Sequence, residues 1–263
     1  MNESINNANR SAGQFSCCWQ VEQTRAGLYS PGNLLYVTLG ISGFILDRLS
    51  WRRALVMGVS LGWAWYGLPD LTDLWFCVAY VMLSMLLYLG LISSVLPQHG
   101  LRLNWIGAKG EEKAFRAFEG LFAFAFFHNG LALTHISQQT ASTLPAFQSM
   151  DSIITILAIV LIFTGTAVKI WSALVVGLPV YYWKYMFLGR AVGGFVVRGP
   201  YRYLANPMYG VGQLQVYGIA LYYHSFYGLL FAALNQLLVF GFYYVVERPF
   251  MKRTFGISAL SVN

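Results

Sequence analysis

Residues 152–176 read SIITILAIVLIFTGTAVKIWSALVV, an apolar run that, wound as a helix, is long enough to cross the hydrocarbon core of a bilayer. The rest of the chain repeats the pattern. Its 263 residues are 57% hydrophobic and only 10% charged, whereas soluble domains carry about a quarter charged residues. A water-facing surface cannot be assembled from that inventory, so the sequence predicts an integral membrane protein. Lipid offers no partners for free backbone groups, so the spans must be helical. The predicted fold is an all-α, polytopic bundle of about seven spans (six to eight), near 33–47, 53–68, 74–96, 115–135, 152–176, 208–223 and 226–246. Residues 177–189 are read as a continuation of the fifth span past a break at Gly177-Leu178-Pro179.

Loop charges divide the chain consistently. Arg48, Arg52 and Arg53 fall in the first loop, and Arg102, Lys109 and Lys113 in the third. Lys184, Arg190, Arg198 and Arg202 fall in the fifth connection, and Arg248, Lys252 and Arg253 at the C-terminus. The loops near 69–73, 136–151 and 224 have no Lys or Arg. By the positive-inside rule the N-terminus lies outside and the C-terminus in the cytoplasm. In this setting the formal charge of +7 speaks of cytoplasmic loops and anionic head groups rather than nucleic acid. Residues 1–31 read as a polar tail without the apolar core of a signal peptide. Residues 32–150 hold helices with no assigned role, and 151–263 form a separate core. The three cysteines, Cys17, Cys18 and Cys77, fit neither a disulfide framework nor a metal site.

The segment VVRGPYRYLANPMYGVG, 196–212, interrupts this apolar chain with two prolines, three tyrosines and two arginines. Pro200 and Pro207 stiffen it. The pattern predicts Asn206 as N-cap of a helix opened by Pro207, with a helix N-terminus able to receive a carboxylate or phosphate. Gly210 and Gly212 would let a flat group approach. Helices over 208–223 and 226–246 would measure about 24 and about 31 Å, joined by a tight turn at His224-Ser225. Their inner ends then differ in depth, with the 198–207 loop recessed and Glu247 nearer the cytoplasm. In the fourth span, Glu119 pairs locally with Arg116. His128-Asn129 either bonds a neighbouring helix or serves the substrate. Gly58 to Gly62 has small-residue spacing for helix packing.

RGPYRYLANPMYGVGQLQVYGIAL, followed about 40 residues later by VERPFMKRTFG, resembles the integral-membrane methyltransferases, which include the phosphatidylethanolamine N-methyltransferases and isoprenylcysteine carboxyl methyltransferases. The resemblance covers residues 176–256. Gly199-Pro200-Tyr201 and Pro207-Met208-Tyr209 align without gaps. Asn206 stands for the family's histidine, Ala205 for its arginine and Arg248 for the second of two acidic residues, while Glu247 matches the first. Gly193-Gly194 is a loose counterpart of a glycine motif. The Asn-Pro-Met-Tyr form is that of the phospholipid branch.

The resemblance implies S-adenosylmethionine as cofactor, held by Tyr201, Tyr203, Leu204, Asn206, Pro207, Tyr209, Gly212, Glu247 and Arg248. Glu247 and His128 are the candidate catalytic residues, Arg198 and Arg202 would hold a lipid phosphate, and no metal is implied. The methyl acceptor would be a membrane lipid amine, phosphatidylethanolamine or a partly methylated derivative, in the endoplasmic reticulum or a bacterial cytoplasmic membrane. Other readings of the same core are a methyltransferase for a prenylcysteine carboxylate or small thiol, a sterol-type NADPH reductase, and a non-enzymatic lipid-handling protein.

Overall fold

A computed structural model describes residues 73–145, 151–191 and 198–255, together with positions 55, 58 and 59. The 1–31 tail, the span expected at 33–47, Arg48, Arg52, Arg53, Cys17-Cys18 and Gly193-Gly194 lie outside the described residues. So does the span at 53–68, with its Gly58–Gly62 pattern, apart from those three positions. Every regular element among the described residues is helical. The longer ones are α1 (Leu74–Val95), α2 (Arg102–Lys109), α3 (Glu111–Gln139) and α4 (Asp151–Val176). Two short helices follow, α5 (Leu178–Tyr181) and α6 (Lys184–Leu188), then α7 (Leu214–Tyr222), α8 (Phe226–Phe242) and α9 (Arg248–Phe255). A π-helical turn, Tyr243–Glu247, joins α8 to α9 without a break. Among the described residues, three helical stretches are long and apolar enough to cross a membrane: Leu74–Val95, Asp151–Val176 and Phe226–Phe255.

Spacing explains the core. Phe115, Phe118, Phe122 and Phe126 recur every three or four residues and so share one face of α3. They do not meet a simple continuation of α4. Gly177, at φ 81°, ends that helix, and the chain turns back so that its aromatic residues lie against α3. Phe187 stacks on Phe118 at 5.3 Å between ring centroids, and Trp183 meets Phe122 edge-on at 5.0 Å. Residues 177–189 are therefore a folded-back segment and not a prolonged span, because burying four large rings, Tyr182, Trp183, Tyr185 and Phe187, outweighs keeping the helix straight. Arg102 fastens this segment from the other side. Its side chain, only 6% exposed, donates to the carbonyls of Pro97, Gln98 and Phe187 at 3.3, 3.4 and 3.1 Å, occupying acceptors that helix ends leave free.

α7 packs closely on α4. A Cβ at Gly218 would sit 2.6 Å from the carbonyl oxygen of Ala158, and one at Gly165 would collide with the backbone of Gln215. The hairpin turn falls where expected. Ser225 Oγ accepts from the N–H of Gly228 at 2.8 Å and shares a 2.7 Å hydrogen bond with Thr140, the residue that caps the C-terminus of α3.

One local expectation is corrected. The helix predicted to open at Pro207 starts as regular α-helix only at Leu214, after the 3₁₀ turn Val211–Gln213. Its nine residues span about 14 Å, too short to cross a bilayer. Asn206 is thus not an N-cap; its carbonyl accepts from Gly210 N–H at 2.9 Å inside an irregular turn. Arg116 pairs with Glu112, Nε to Oε1 3.0 Å, on an exposed face, and Glu119 is 1% exposed. The spacing of four residues along a helix suits the first pair.

Candidate functional site around Glu247

The site forms where the folded-back segment, the 199–212 loop and the end of α8 converge. The π turn carries Glu247 inward; π turns recur where a helix must redirect one side chain. Tyr185 of α6 donates its hydroxyl to Glu247 Oε1 at 2.9 Å, and Tyr209 of the loop donates to Oε2 at 2.7 Å. The indole N–H of Trp183 is a third partner. These donors compensate a carboxylate that would be costly to enclose alone. Trp183 reaches it from φ 55°, a left-handed conformation that costs a bulky residue about 1–2 kcal/mol. Such strain persists where surrounding packing imposes it, here the T-shaped contacts of its ring with Phe122 and Phe242.

Glu247 therefore does not project below the loop as the helix lengths implied. The irregular 203–213 stretch brings Tyr209 level with it. Burial pushes the Tyr185 hydroxyl well above its ordinary range, and the Glu247 carboxylate beside it pushes further. Burial likewise leads for Tyr201, with Glu247 second. Both phenols stay protonated, and Tyr185 acts as a donor.

Tyr201 supplies a different kind of group. Its Oη and the Oγ of Ser172, on α4, are buried side by side without a well-formed hydrogen bond among the described residues. Gly199, at φ 61°, lets the loop lie against α4, where a Cβ would sit 2.7 Å from Val175 Cγ2. At Gly212 a Cβ would lie 3.1 Å from the carbonyl oxygen of Pro207 and 3.7 Å from Lys169 of α4. Asn206 bonds the hydroxyl of Tyr243 through its side chain.

The other sequence candidates are placed as follows. Arg248 lays its guanidinium over the ring of Tyr244 at 5.6 Å, and Arg202 lies over Tyr203 at 5.9 Å. Arg198, Arg202 and Tyr203 are exposed, Leu204 is half-buried and Pro207 is buried. His128 is not brought to Glu247. Its Nδ1 bonds Tyr80 Oη at 3.0 Å in the seam between α1 and α3, some eight residues along α1 from Tyr88, whose ring is near enough to feel the Glu247 charge. Sequence reasoning missed Tyr185, Trp183, Ser172 and Lys169. The first two sit in a segment taken for span, and the last two inside the apolar run of α4. A lone lysine within such a run is the signal that was there to be read.

The donor set suits a ligand with both charges: a fixed carboxylate at Glu247, the two buried hydroxyls of Ser172 and Tyr201, a glycine-lined turn and the ammonium of Lys169. S-adenosylmethionine, a sulfonium bearing an amino acid and a ribose, has that character, and the residues present fit it.

Residues 153–258 match the family model described as phospholipid methyltransferase. Among curated proteins, the chain is similar to a phosphatidylethanolamine N-methyltransferase of Schizosaccharomyces japonicus, 25% identical over 223 residues, covering 82% of this chain. The chain spans 19% of that relative's length. No solved structure matches the chain.

Proposed function

We propose that the protein is a membrane-embedded methyltransferase that moves a methyl group from S-adenosylmethionine to a lipid amine, phosphatidylethanolamine or a partly methylated derivative. The observation that carries this reading is the Glu247 carboxylate held by Tyr185, Tyr209 and Trp183, inside the segment that matches the phospholipid methyltransferase model. The name of the curated relative supports the choice of acceptor.

When bound, the cofactor supplies an electrophilic methyl group on a positively charged sulfur. Glu247 acts as its counter-charge; both carboxylate oxygens already accept phenolic hydrogens, which fixes the charge in place before the reaction. Tyr201, Tyr209, Asn206 and the Gly212 turn position the donor. Arg198 and Arg202, exposed at the loop, hold the lipid phosphate so that the amine points inward. The neutral amine attacks with its lone pair as the carbon–sulfur bond breaks, and its proton leaves to water. Alignment and exclusion of bulk water supply most of the acceleration. The exposed apolar side chains of α4, Ile153, Ile156, Val160 and Phe163 among them, suit contact with acyl chains and lateral entry of a lipid.

The chain crosses the membrane about seven times in this reading, with its C-terminus in the cytoplasm, in an endoplasmic reticulum or bacterial cytoplasmic membrane. His128 is left as a helix-packing residue. The test is to incubate purified protein in nanodiscs with methyl-labelled S-adenosylmethionine and phosphatidylethanolamine and extract the lipid. Label in mono-, di- or trimethylated phospholipid is expected. Absence of label from lipid, with label on a thiol or prenylcysteine acceptor supplied in parallel, would overturn the assignment.

A further inference from the structure

Lys169 stands near the middle of an otherwise apolar stretch of α4, half-buried, and its Nζ lies over the ring of Phe126 at 5.6 Å. Among the described residues no carboxylate lies within ion-pair distance of it. A cation in an apolar helix is costly and in general faces a partner or a ligand. Its stem rests against Gly212, on the loop that also carries Tyr209. One turn further along α4 is Ser172, whose buried hydroxyl lies beside that of Tyr201. Lys169 and Ser172 of α4 meet the 199–212 loop at Gly212 and Tyr201, and Glu247 meets the same loop at Tyr209.

The sequence pattern assigned an anion to a helix N-terminus at Asn206-Pro207, but α7 begins at Leu214. The turn that replaces that helix start packs instead on a lysine. Building on the methyltransferase reading, we infer that Lys169 is the seat of the methyl donor's carboxylate, with the hydroxyls of Ser172 and Tyr201 beside it. A lipid phosphate is the other anion available. It belongs at the head-group plane, where Arg198 and Arg202 are exposed, whereas Lys169 lies seven residues, about 10 Å, inward from the end of α4 at Val176. The division places opposite charges at opposite sides of the donor: Glu247 for the sulfonium, Lys169 for the carboxylate.

The experiment uses the full chain in nanodiscs and calorimetric titration with two neutral-sulfur probes. S-adenosylhomocysteine carries the amino acid; 5′-methylthioadenosine is the same nucleoside thioether without it. Lys169→Met should weaken S-adenosylhomocysteine by about 30-fold, the loss of one charge-assisted contact, and leave 5′-methylthioadenosine within about twofold. Lys169→Arg should retain most of the affinity, and thermal melting of both variants verifies the fold. Equal weakening of both probes, or none, overturns the inference. So does a Lys169→Met protein whose only defect is a raised KM for the lipid, which would assign the lysine to phosphate. Failure of the wild type to bind either probe sinks the methyltransferase reading itself, an outcome distinct from failure of the lysine's role.

Discussion

Replacing Glu247 by Gln removes one charge with little change of shape, and the structure states what should follow. The amide keeps an acceptor for one phenol, and the other can rotate to accept from the new N–H, so packing is preserved. The lost quantity is the field at the donor sulfur. With both carboxylate oxygens engaged at 2.7 and 2.9 Å, a bound cation approaches to about 5 Å, where an effective dielectric constant of about 20 gives about 3 kcal/mol. That is about 150-fold in affinity. S-adenosylhomocysteine lacks the sulfonium charge, so it provides the internal control. Calorimetric titration of Glu247→Gln should show S-adenosylmethionine weakened about 100-fold and S-adenosylhomocysteine by less than about fivefold. Equal losses for the two ligands would refute the counter-charge role and move Glu247 to the ribose or the amino group. Glu247→Ala is the harsher variant: it strands three buried donors, at about 1–3 kcal/mol each, and should lower the melting temperature where Gln does not.

Further outcomes follow from the same geometry. Tyr185→Phe and Tyr209→Phe should each cost about 1.5–3 kcal/mol in chemical denaturation, and the double variant less than the sum, because both hydroxyls serve one carboxylate. Burial and the Glu247 charge hold Tyr185 above the ordinary tyrosine range, so raising the pH to about 11 should produce the same tyrosinate absorbance in wild type and Tyr185→Phe; a smaller signal in the variant would show that Tyr185 ionises. Gly218→Val should destabilise by about 1–3 kcal/mol, since even a Cβ would meet Ala158 O at 2.6 Å; an unchanged melting temperature would refute the close α4–α7 contact. Replacing Arg198 and Arg202 together by Ala should raise the KM for phospholipid while leaving S-adenosylhomocysteine affinity unchanged by titration.

Composition and apolar run lengths determined that the chain is helical and built for a bilayer, because lipid leaves the backbone no alternative. α1, α3 and α4 begin and end close to where those runs do. The hairpin turn at His224-Ser225 was legible for a local reason: a capping serine at the head of an apolar run. Glu247, Tyr209 and Asn206 were legible as candidates through their spacing and the resemblance that spacing carries. What the tertiary structure decided is where these residues meet. Local signals at Asn206-Pro207 are those of a helix start, yet the turn is shaped by Gly199 and Gly212 packing on α4, contacts that no local pattern encodes. Likewise 177–189 is apolar enough for a span, and only the row of phenylalanines on α3 determines that it folds back and presents Tyr185 and Trp183 to Glu247. Hydrophobicity along a chain reports whether a residue can be buried. Which partners enclose it depends on contacts between segments far apart in sequence, and so the donors around Glu247, and Lys169 beside the loop, emerged only when the helices were packed.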